Sequence, residues 1–199
     1  MGSTLLLLFS LVSTSVLAAS AADPVLDLFF EEVKAGVEYY ILPGFHRSGG
    51  GLNLKSSTNE SCPVDVVQEE QDESYGLTLK FSPAVSSSNG VVITSTDLNI
   101  KLSHVENCEQ STVWQIQNYA DDIGPWLIKT GAAEGNPGPN TVGNWFKIDK
   151  FGGDYKLVYC PTVCDSCKVT CGDVGLYVKN GMRHLALTTK PYKVIFQKA

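Results

Sequence analysis

The stretch Thr96-Asp97-Leu98-Asn99-Ile100-Lys101-Leu102-Ser103 alternates aliphatic and polar side chains. Its three aliphatic residues fall at every second position. Successive side chains of an extended chain point to opposite faces, so these three would share one face. A period of two therefore predicts a half-buried β-strand at this place, with its polar side chains facing solvent.

Similar short runs recur on both sides of this stretch, at intervals of roughly ten residues, as in all-β proteins. Turn signals such as Asn89-Gly90, Gly152-Gly153 and Asn180-Gly181 separate them. The nearest thing to a helical pattern, Val25–Val37, is limited by Gly36. We predict one all-β domain, and periodicity alone leaves barrel and sandwich open. The runs predicted as strands are Tyr39–Leu42, Leu52–Leu54, Val64–Gln68, Leu77–Phe81, Val91–Thr94, Leu98–Leu102, Thr112–Ile116, Trp126–Lys129, Trp145–Ile148, Tyr155–Tyr159, Val174–Val178, Leu185–Leu187 and Val194–Phe196.

Composition narrows the class of partner. The 199 residues carry 15 Lys and Arg against 21 Asp and Glu, a formal net charge of −6. Binding to phosphate backbones calls for a basic face, so we predict no nucleic-acid partner. Hydrophobic residues make up 43% of the chain, which is enough for a real core.

The N-terminal 22 residues resemble a secretory signal peptide. They carry no charged side chain, hold an apolar run from Leu5 to Leu17, and contain Ala19-Ser20-Ala21, which fits the A-x-A cleavage rule. We predict a signal peptide at 1–22, a mature domain at 23–199 and no membrane contact after cleavage. An uncleaved anchor is the alternative.

A secreted chain forms disulfides by default. Local spacing favours a nested arrangement, with Cys160–Cys171 outside Cys164–Cys167 and Cys62–Cys108 as the third pair. The alternative is a four-thiolate zinc site, although the spacing differs from that of a zinc ribbon. Asn59-Glu60-Ser61 is an acceptor sequon, so glycosylation is predicted at Asn59.

No recognisable catalytic motif stands in the sequence. His46, His104 and His184 have no metal-ligand spacing, and no nucleophile elbow or phosphate-binding loop is present. We therefore predict no enzyme activity, no metal and no cofactor. Trp114 and the two other tryptophans could stack on sugars, but in strand-like runs a core role is favoured.

Twelve segments, taken in order, point to a known family. They are Val25–Asp27 with Tyr39–Pro43, Gly49–Leu52, Cys62-Pro63 with Val66–Gln68, Thr96–Ile100, Ser111–Trp114, Glu134–Pro139, Asn144–Ile148, Tyr155–Cys164, Cys171–Gly175 and Leu185–Leu187. Together they resemble the plant Kunitz-type (soybean trypsin inhibitor) family, most closely its miraculin-like branch. The resemblance implies a disulfide-stapled β-trefoil of twelve strands in three pseudo-repeats, with the cysteine pairing given above. It also implies a secreted or vacuolar plant defence protein.

The resemblance further implies inhibition of a serine protease by an exposed loop that enters the cleft like a substrate. The corresponding loop is Ser82–Gly90, and it contains no Arg or Lys. Trypsin-like pockets end in a carboxylate, so trypsin inhibition is expected to be weak and elastase-like or subtilisin-like targets are favoured. Two alignments place either Val85 or Ser88 before the scissile bond. The candidate residues are Ala84, Val85, Ser86, Ser87, Ser88 and Asn89.

Three positions depart from the family pattern. Leu28–Glu32 replaces a polar turn, and Ala35 stands where inhibitors carry an Asn that braces the loop. Gly152-Gly153 occupies the region in which some relatives carry a dimer-linking cysteine, so a monomer is expected. The alternative function is a non-inhibitory carbohydrate-binding or seed or vegetative storage protein on the same fold.

Overall fold

The computed structural model describes residues 23–56, 62, 64–103, 108–117 and 125–199. The predicted signal peptide, the sequon at Asn59 and His104 lie outside these residues.

The described residues form twelve β-strands and one 3-10 helix, which confirms the all-β prediction. For every predicted run except Val91–Thr94, the first or last residue lies within two residues of the corresponding end of an observed strand. The strands are β1 Tyr39–Pro43, β2 Leu52–Lys55, β3 Asp65–Gln68, β4 Leu79–Pro83, β5 Leu98–Leu102, β6 Val113–Gln117, β7 Leu127–Ala132, β8 Lys147–Phe151, β9 Asp154–Tyr159, β10 Gly172–Lys179, β11 Met182–Thr188 and β12 Lys193–Lys198, and the helix is Pro139–Asn144.

Six of the strands pair antiparallel into a closed ring. β12 pairs with β1, β1 with β4, β4 with β5, β8 with β9, and β9 with β12. A bridge between Leu98 and Phe146 joins β5 to the residues just before β8 and closes the circuit. A closed ring removes exposed strand edges, so its backbone groups find partners within the ring.

The other six strands form three hairpins that meet one another. These hairpins are β2–β3, β6–β7 and β10–β11. β3 pairs with both β7 and β11, and β7 also pairs with β11. Each hairpin follows one ring strand and precedes the next, so four consecutive strands form one unit of the chain.

The core fills the ring and the space under the hairpins. Ile41, Phe81, Ile100, Val194 and Phe196 are all fully buried. The Phe81 and Phe196 rings meet edge to face, with centroids 5.5 Å apart. Burial of an aliphatic or aromatic side chain of this size stabilises the fold by about 1.5–3 kcal/mol, so this packing is the main stabilising term.

Two predictions for individual residues were wrong. Val91–Thr94 is not a strand, because Val91 and Ile93 form only isolated bridges, to Lys34 and Pro24. The N-terminal partner segment turns away after each bridge, so no ladder develops. Asn99 was expected to face solvent but is fully buried.

Three disulfides account for all six cysteines: Cys62–Cys108, Cys160–Cys171 and Cys164–Cys167. This is the pairing that the spacing favours, and it leaves no thiolate for zinc. The first bridge closes a separation of 46 residues, the longest of the three. On the chain-entropy model a loop of that size contributes about 4 kcal/mol.

Among the described residues, no helix is long and apolar enough to cross a membrane.

The segment Gly49–Gly51, which leads into β2, shows where the fold requires glycine. A Cβ added to Gly50 would overlap the carbonyl oxygens of Ser74 and Gln71. Both oxygens belong to backbone, which cannot move aside as a flexible side chain can.

We predict that Gly50→Ala lowers the free energy of unfolding by about 3 kcal/mol. Urea denaturation measures it, with Gly138→Ala as the control, since a Cβ there meets nothing within 4 Å. Equal stability of the two variants would contradict the conclusion that the backbone around Gly50 leaves no room for a Cβ.

His184 is a buried titratable group where the three hairpins meet. Its side chain on β11 is 2% exposed. Burial lowers its pKa below the ordinary 6.5, the Asp65 carboxylate opposes the shift, and Lys179 and Lys129 reinforce it. Asp65 is itself buried and lies 3.2 Å from the Lys129 ammonium. The folded state therefore disfavours the charged imidazole.

This gives a pH prediction with a definite sign. The unfolded chain binds a proton at His184 near pH 6.5, and the folded chain binds it only at lower pH. The stability contribution is thus present above pH 6.5 and is lost as the pH falls below it. We expect urea denaturation to show a smaller drop between pH 7 and 5 for His184→Gln than for the parent chain. His46→Gln, in the exposed β1–β2 connection, should leave the slope unchanged; an equal effect of both variants would refute the assignment.

Candidate functional site

The candidate site is the β4–β5 loop, Ala84–Asp97. Its strands hold both ends, since Ser82 pairs with Asn99 and Pro83 with Leu98. The Ala84 amide then donates to the Asp97 carbonyl oxygen at 2.8 Å, which closes the neck of the loop. Ser82 and Pro83, expected in the loop, therefore belong to β4.

The six candidate residues lie together on the outward part of this loop. Val85 is 86% exposed, the largest exposed fraction among the large hydrophobic side chains of the described residues. Ser86, Ser88 and Asn89 are also exposed, whereas Ala84 and Ser87 are half-buried. The loop thus presents one large apolar side chain to solvent.

A turn separates the two alternatives for the residue before the scissile bond. The Gly90 amide donates to the Ser87 carbonyl oxygen at 3.1 Å, and Gly90 has a φ of +66°. The Ser87 hydroxyl donates to the Val91 carbonyl oxygen at 2.9 Å. Ser88 therefore sits inside a β-turn, while Val85 precedes it. A substrate-like residue must protrude, and the exposure of Val85 outside this turn favours it over Ser88.

Backbone hydrogen bonds from the N-terminal segment hold the loop at Gly90 and the preceding strand β4 at Phe81. The Ala35 amide donates to the Gly90 carbonyl oxygen at 2.7 Å, and the Gly36 amide donates to that of Phe81 at 3.1 Å. The Ala35 methyl group offers no hydrogen bond of its own. Ala35 therefore supports the loop through its backbone amide and not through its side chain.

The unusual segment Leu28–Glu32 forms a tight turn around Asp27. The Asp27 carboxylate accepts hydrogen bonds from the amides of Phe29 and Glu31, both at 2.9 Å. The turn leaves Phe29 and Phe30 exposed.

Asp97 links the neck of the loop to a distant part of the chain. Its carboxylate accepts hydrogen bonds from the Thr162 amide at 3.0 Å and the Thr162 hydroxyl at 2.5 Å. The Lys147 ammonium lies 3.8 Å from the other carboxylate oxygen. Asp97 is buried, so its charge depends on these partners. No local sequence pattern signals this role, because Thr162 is 65 residues away.

In the described part of the chain, no group of three or more His, Cys, Asp or Glu side chains could hold a metal ion. The chemistry that the loop offers is recognition through shape and apolar contact.

Comparison with known proteins accounts for this arrangement. The legume Kunitz family, described as "Trypsin and protease inhibitor", matches residues 25–198. The chain belongs to this Kunitz family. It is 43% identical over 202 residues to Kunitz trypsin inhibitor 5 of Arabidopsis thaliana, with 99% of each chain covered.

Two further Kunitz relatives differ in what their names say. Miraculin of Synsepalum dulcificum is 44% identical over 189 residues, covering 91% of this chain and 86% of miraculin. The solved structure of the Kunitz-type cysteine protease inhibitor PCPI-3 from potato superimposes with a TM-score of 0.78 at 35% identity, covering 90% of this chain and 98% of the potato chain. The Kunitz family thus includes members named for different proteases.

The Asp97 contacts predict a stability effect at the neck of the loop. Asp97→Ala removes the acceptor for Thr162 and leaves the largely buried Lys147 ammonium without its counter-ion. We expect the free energy of unfolding in urea to fall by about 3 kcal/mol. Glu32→Ala breaks only an exposed ion pair with Lys34, so its change should stay below about 0.5 kcal/mol. A loss at Asp97 no larger than that control would contradict the role of the buried carboxylate.

Proposed function

We propose that this chain is a secreted defence protein that inhibits serine endopeptidases through the β4–β5 loop, with Val85 in the specificity pocket of the protease. The observation that carries the proposal is the 86% exposure of Val85 on a loop whose two ends are anchored. The scissile bond is then Val85–Ser86, and the residues that flank it in the cleft are Ala84 and Ser87–Asn89.

Inhibition follows from a loop that binds as a substrate but is cleaved slowly. The neck bond from Ala84 and the turn bond from Gly90 hold the loop before the protease arrives. A loop that is already ordered loses less entropy on docking, so it binds tightly. After cleavage the same contacts keep the new ends close together, which favours resealing over release.

The choice of protease follows from charge and size. A trypsin-like pocket ends in a carboxylate, and Val85 would leave that buried charge without a partner at a cost of several kcal/mol, that is, more than about 2. A shallow apolar pocket instead gains roughly 1–2 kcal/mol from burying a side chain of this size. The proposed targets are therefore elastase-like or subtilisin-like proteases.

The architecture supports a β-trefoil of three pseudo-repeats for the proposed mature domain 23–199. Each proposed repeat consists of a ring strand, a hairpin and a second ring strand: β1–β4, β5–β8 and β9–β12. We further propose that the protein leaves the cell or enters the vacuole, carries glycan at Asn59 and acts as a monomer. The apolar N-terminal sequence and three disulfides support the secretory route.

The alternative role as a non-inhibitory storage or carbohydrate-binding protein makes different demands. Trp114 and Trp145 are fully buried in the core, so they supply no stacking surface for sugars, whereas Trp126 is half-buried. A storage role needs no rigid protruding loop. Inhibition assays against elastase, subtilisin, chymotrypsin, trypsin and a papain-like protease separate the readings, and failure to inhibit any of them would favour storage.

A pair of arginine substitutions tests the reactive bond. We predict that Val85→Arg gains at least about 100-fold in trypsin affinity, or about 2.7 kcal/mol, because the new guanidinium meets the pocket carboxylate. The inhibition constant for trypsin measures the gain. Ser88→Arg places the same charge three residues further on, inside the turn, and should gain little.

The outcome also decides between the two alignments. A large gain from Ser88→Arg with none from Val85→Arg would assign the reactive bond to Ser88 and contradict the proposal. Strong trypsin inhibition by the unsubstituted chain would contradict the electrostatic argument as a whole.

A further inference from the structure

The residues just before Val85 receive support from outside their own strand pair. Ser82, Pro83 and Ala84 form the N-terminal stem of the loop. Ser82 has a side chain that reaches across to Glu134, 52 residues further along the chain. This contact lies three residues from Val85, so it bears on the position of the reactive bond.

Glu134 joins β4 to β5 at this point. One of its carboxylate oxygens accepts a hydrogen bond from the Ser82 hydroxyl at 2.6 Å. The other accepts from the Lys101 ammonium at 2.9 Å. A carboxylate that accepts two such bonds makes stronger contacts than a neutral group does. These two bonds hold the Glu134 pKa below its ordinary value, so the side chain is ionised at neutral pH.

The segment that carries Glu134 is itself fixed by the buried Asn99. The Asn99 side-chain oxygen accepts from the Gly135 amide at 2.7 Å, and its nitrogen donates to the Asn144 carbonyl oxygen at 2.9 Å. Ser82 and Asn99 are direct partners across β4 and β5. Glu134 and Gly135 thus bind β4 and β5 at paired positions, Ser82 and Asn99. The Gly135 contact fixes the backbone next to Glu134.

From these contacts we infer that Glu134 is a positioning residue for the reactive bond, acting through Ser82 on the stem that leads to Val85. The inference rests on the proposed function of the loop. It assigns to the N-terminal stem a side-chain brace that Ala35 cannot supply at the other end. Glu134 need not touch the protease to act in this way.

The structure provides a matched control in Glu38. This carboxylate also accepts from a hydroxyl and pairs with a lysine of a ring strand, at 3.3 Å from the Thr78 hydroxyl and 3.2 Å from the Lys80 ammonium. The exposed fractions of the Glu38 and Glu134 side chains are similar, 44% and 39%. Glu38 lies at the opposite end of β4 from the loop. Glu38→Ala therefore removes a comparable contact at a place where it does not support the loop.

The first test measures inhibition of pancreatic elastase by Glu134→Ala, Ser82→Ala and Glu38→Ala. We expect the first two to weaken inhibition about 5- to 10-fold through faster dissociation and to speed cleavage at Val85–Ser86, since a looser loop pays more entropy on docking. Thermal midpoints should stay equal across the set. Ser82→Thr, which keeps the hydroxyl, should retain parental inhibition. The effects of Ser82→Ala and Glu134→Ala should not add in the double variant, because both substitutions remove the Ser82–Glu134 hydrogen bond.

The second test does not depend on a protease. Hydrogen exchange of the Ala84 amide, which donates to the Asp97 carbonyl oxygen at 2.8 Å, should be faster by NMR in Glu134→Ala than in the parent chain or Glu38→Ala. Equal exchange in all three chains would overturn the positioning role. Additive losses of inhibition in the Ser82→Ala and Glu134→Ala double variant would also overturn it, as would a loss in Glu38→Ala equal to that in Glu134→Ala. If exchange rises but the parent chain inhibits no protease, the positioning role stands and the proposed function fails.

Discussion

The pairing of β12 with β1 is the constraint on which the rest of the molecule depends. Five residue pairs, from Tyr39 with Lys198 to Pro43 with Val194, join the two ends of the domain and close the ring. Closure places Phe196 of β12 against Phe81 of β4 inside the core. Phe81 stands two residues before the end of β4. The packing of the core therefore fixes the position at which the β4–β5 loop begins.

The loop gains its order from contacts that only a closed ring can bring together. Asp97 meets Thr162 across 65 residues, and Ser82 meets Glu134 across 52. Both contacts act at the neck of the loop and leave Val85 untouched. The molecule therefore combines a stem that is tied to several distant elements with a tip that is free to enter a partner. Stability resides in the apolar core, and the polar contacts near the loop determine its shape.

Local pattern was sufficient for most strands and insufficient for the side chains that organise the site. The alternation around Ile100 correctly gave β5, but it placed Asn99 in solvent. The amide of Asn99 is buried because two backbone groups from a later segment satisfy it. Val91 and its neighbours have a strand-like composition without a partner strand long enough to pair with. Glu134 carries no local signal at all, since its role depends on contacts that form only when the ring closes. The sequence predicts the loop and two alternatives for the residue before its scissile bond, whereas the turn that favours Val85 depends on the folded chain.

The most direct measurement of the central claim is the site of slow cleavage by a protease that the chain inhibits. Incubation with catalytic amounts of elastase, followed by mass spectrometry, should show a single cut between Val85 and Ser86. The two fragments should stay joined until reduction, because Cys62–Cys108 spans the loop, and the cleaved form should still inhibit. Inhibition that persists with no cut in the loop, or with a single cut elsewhere, would contradict the account.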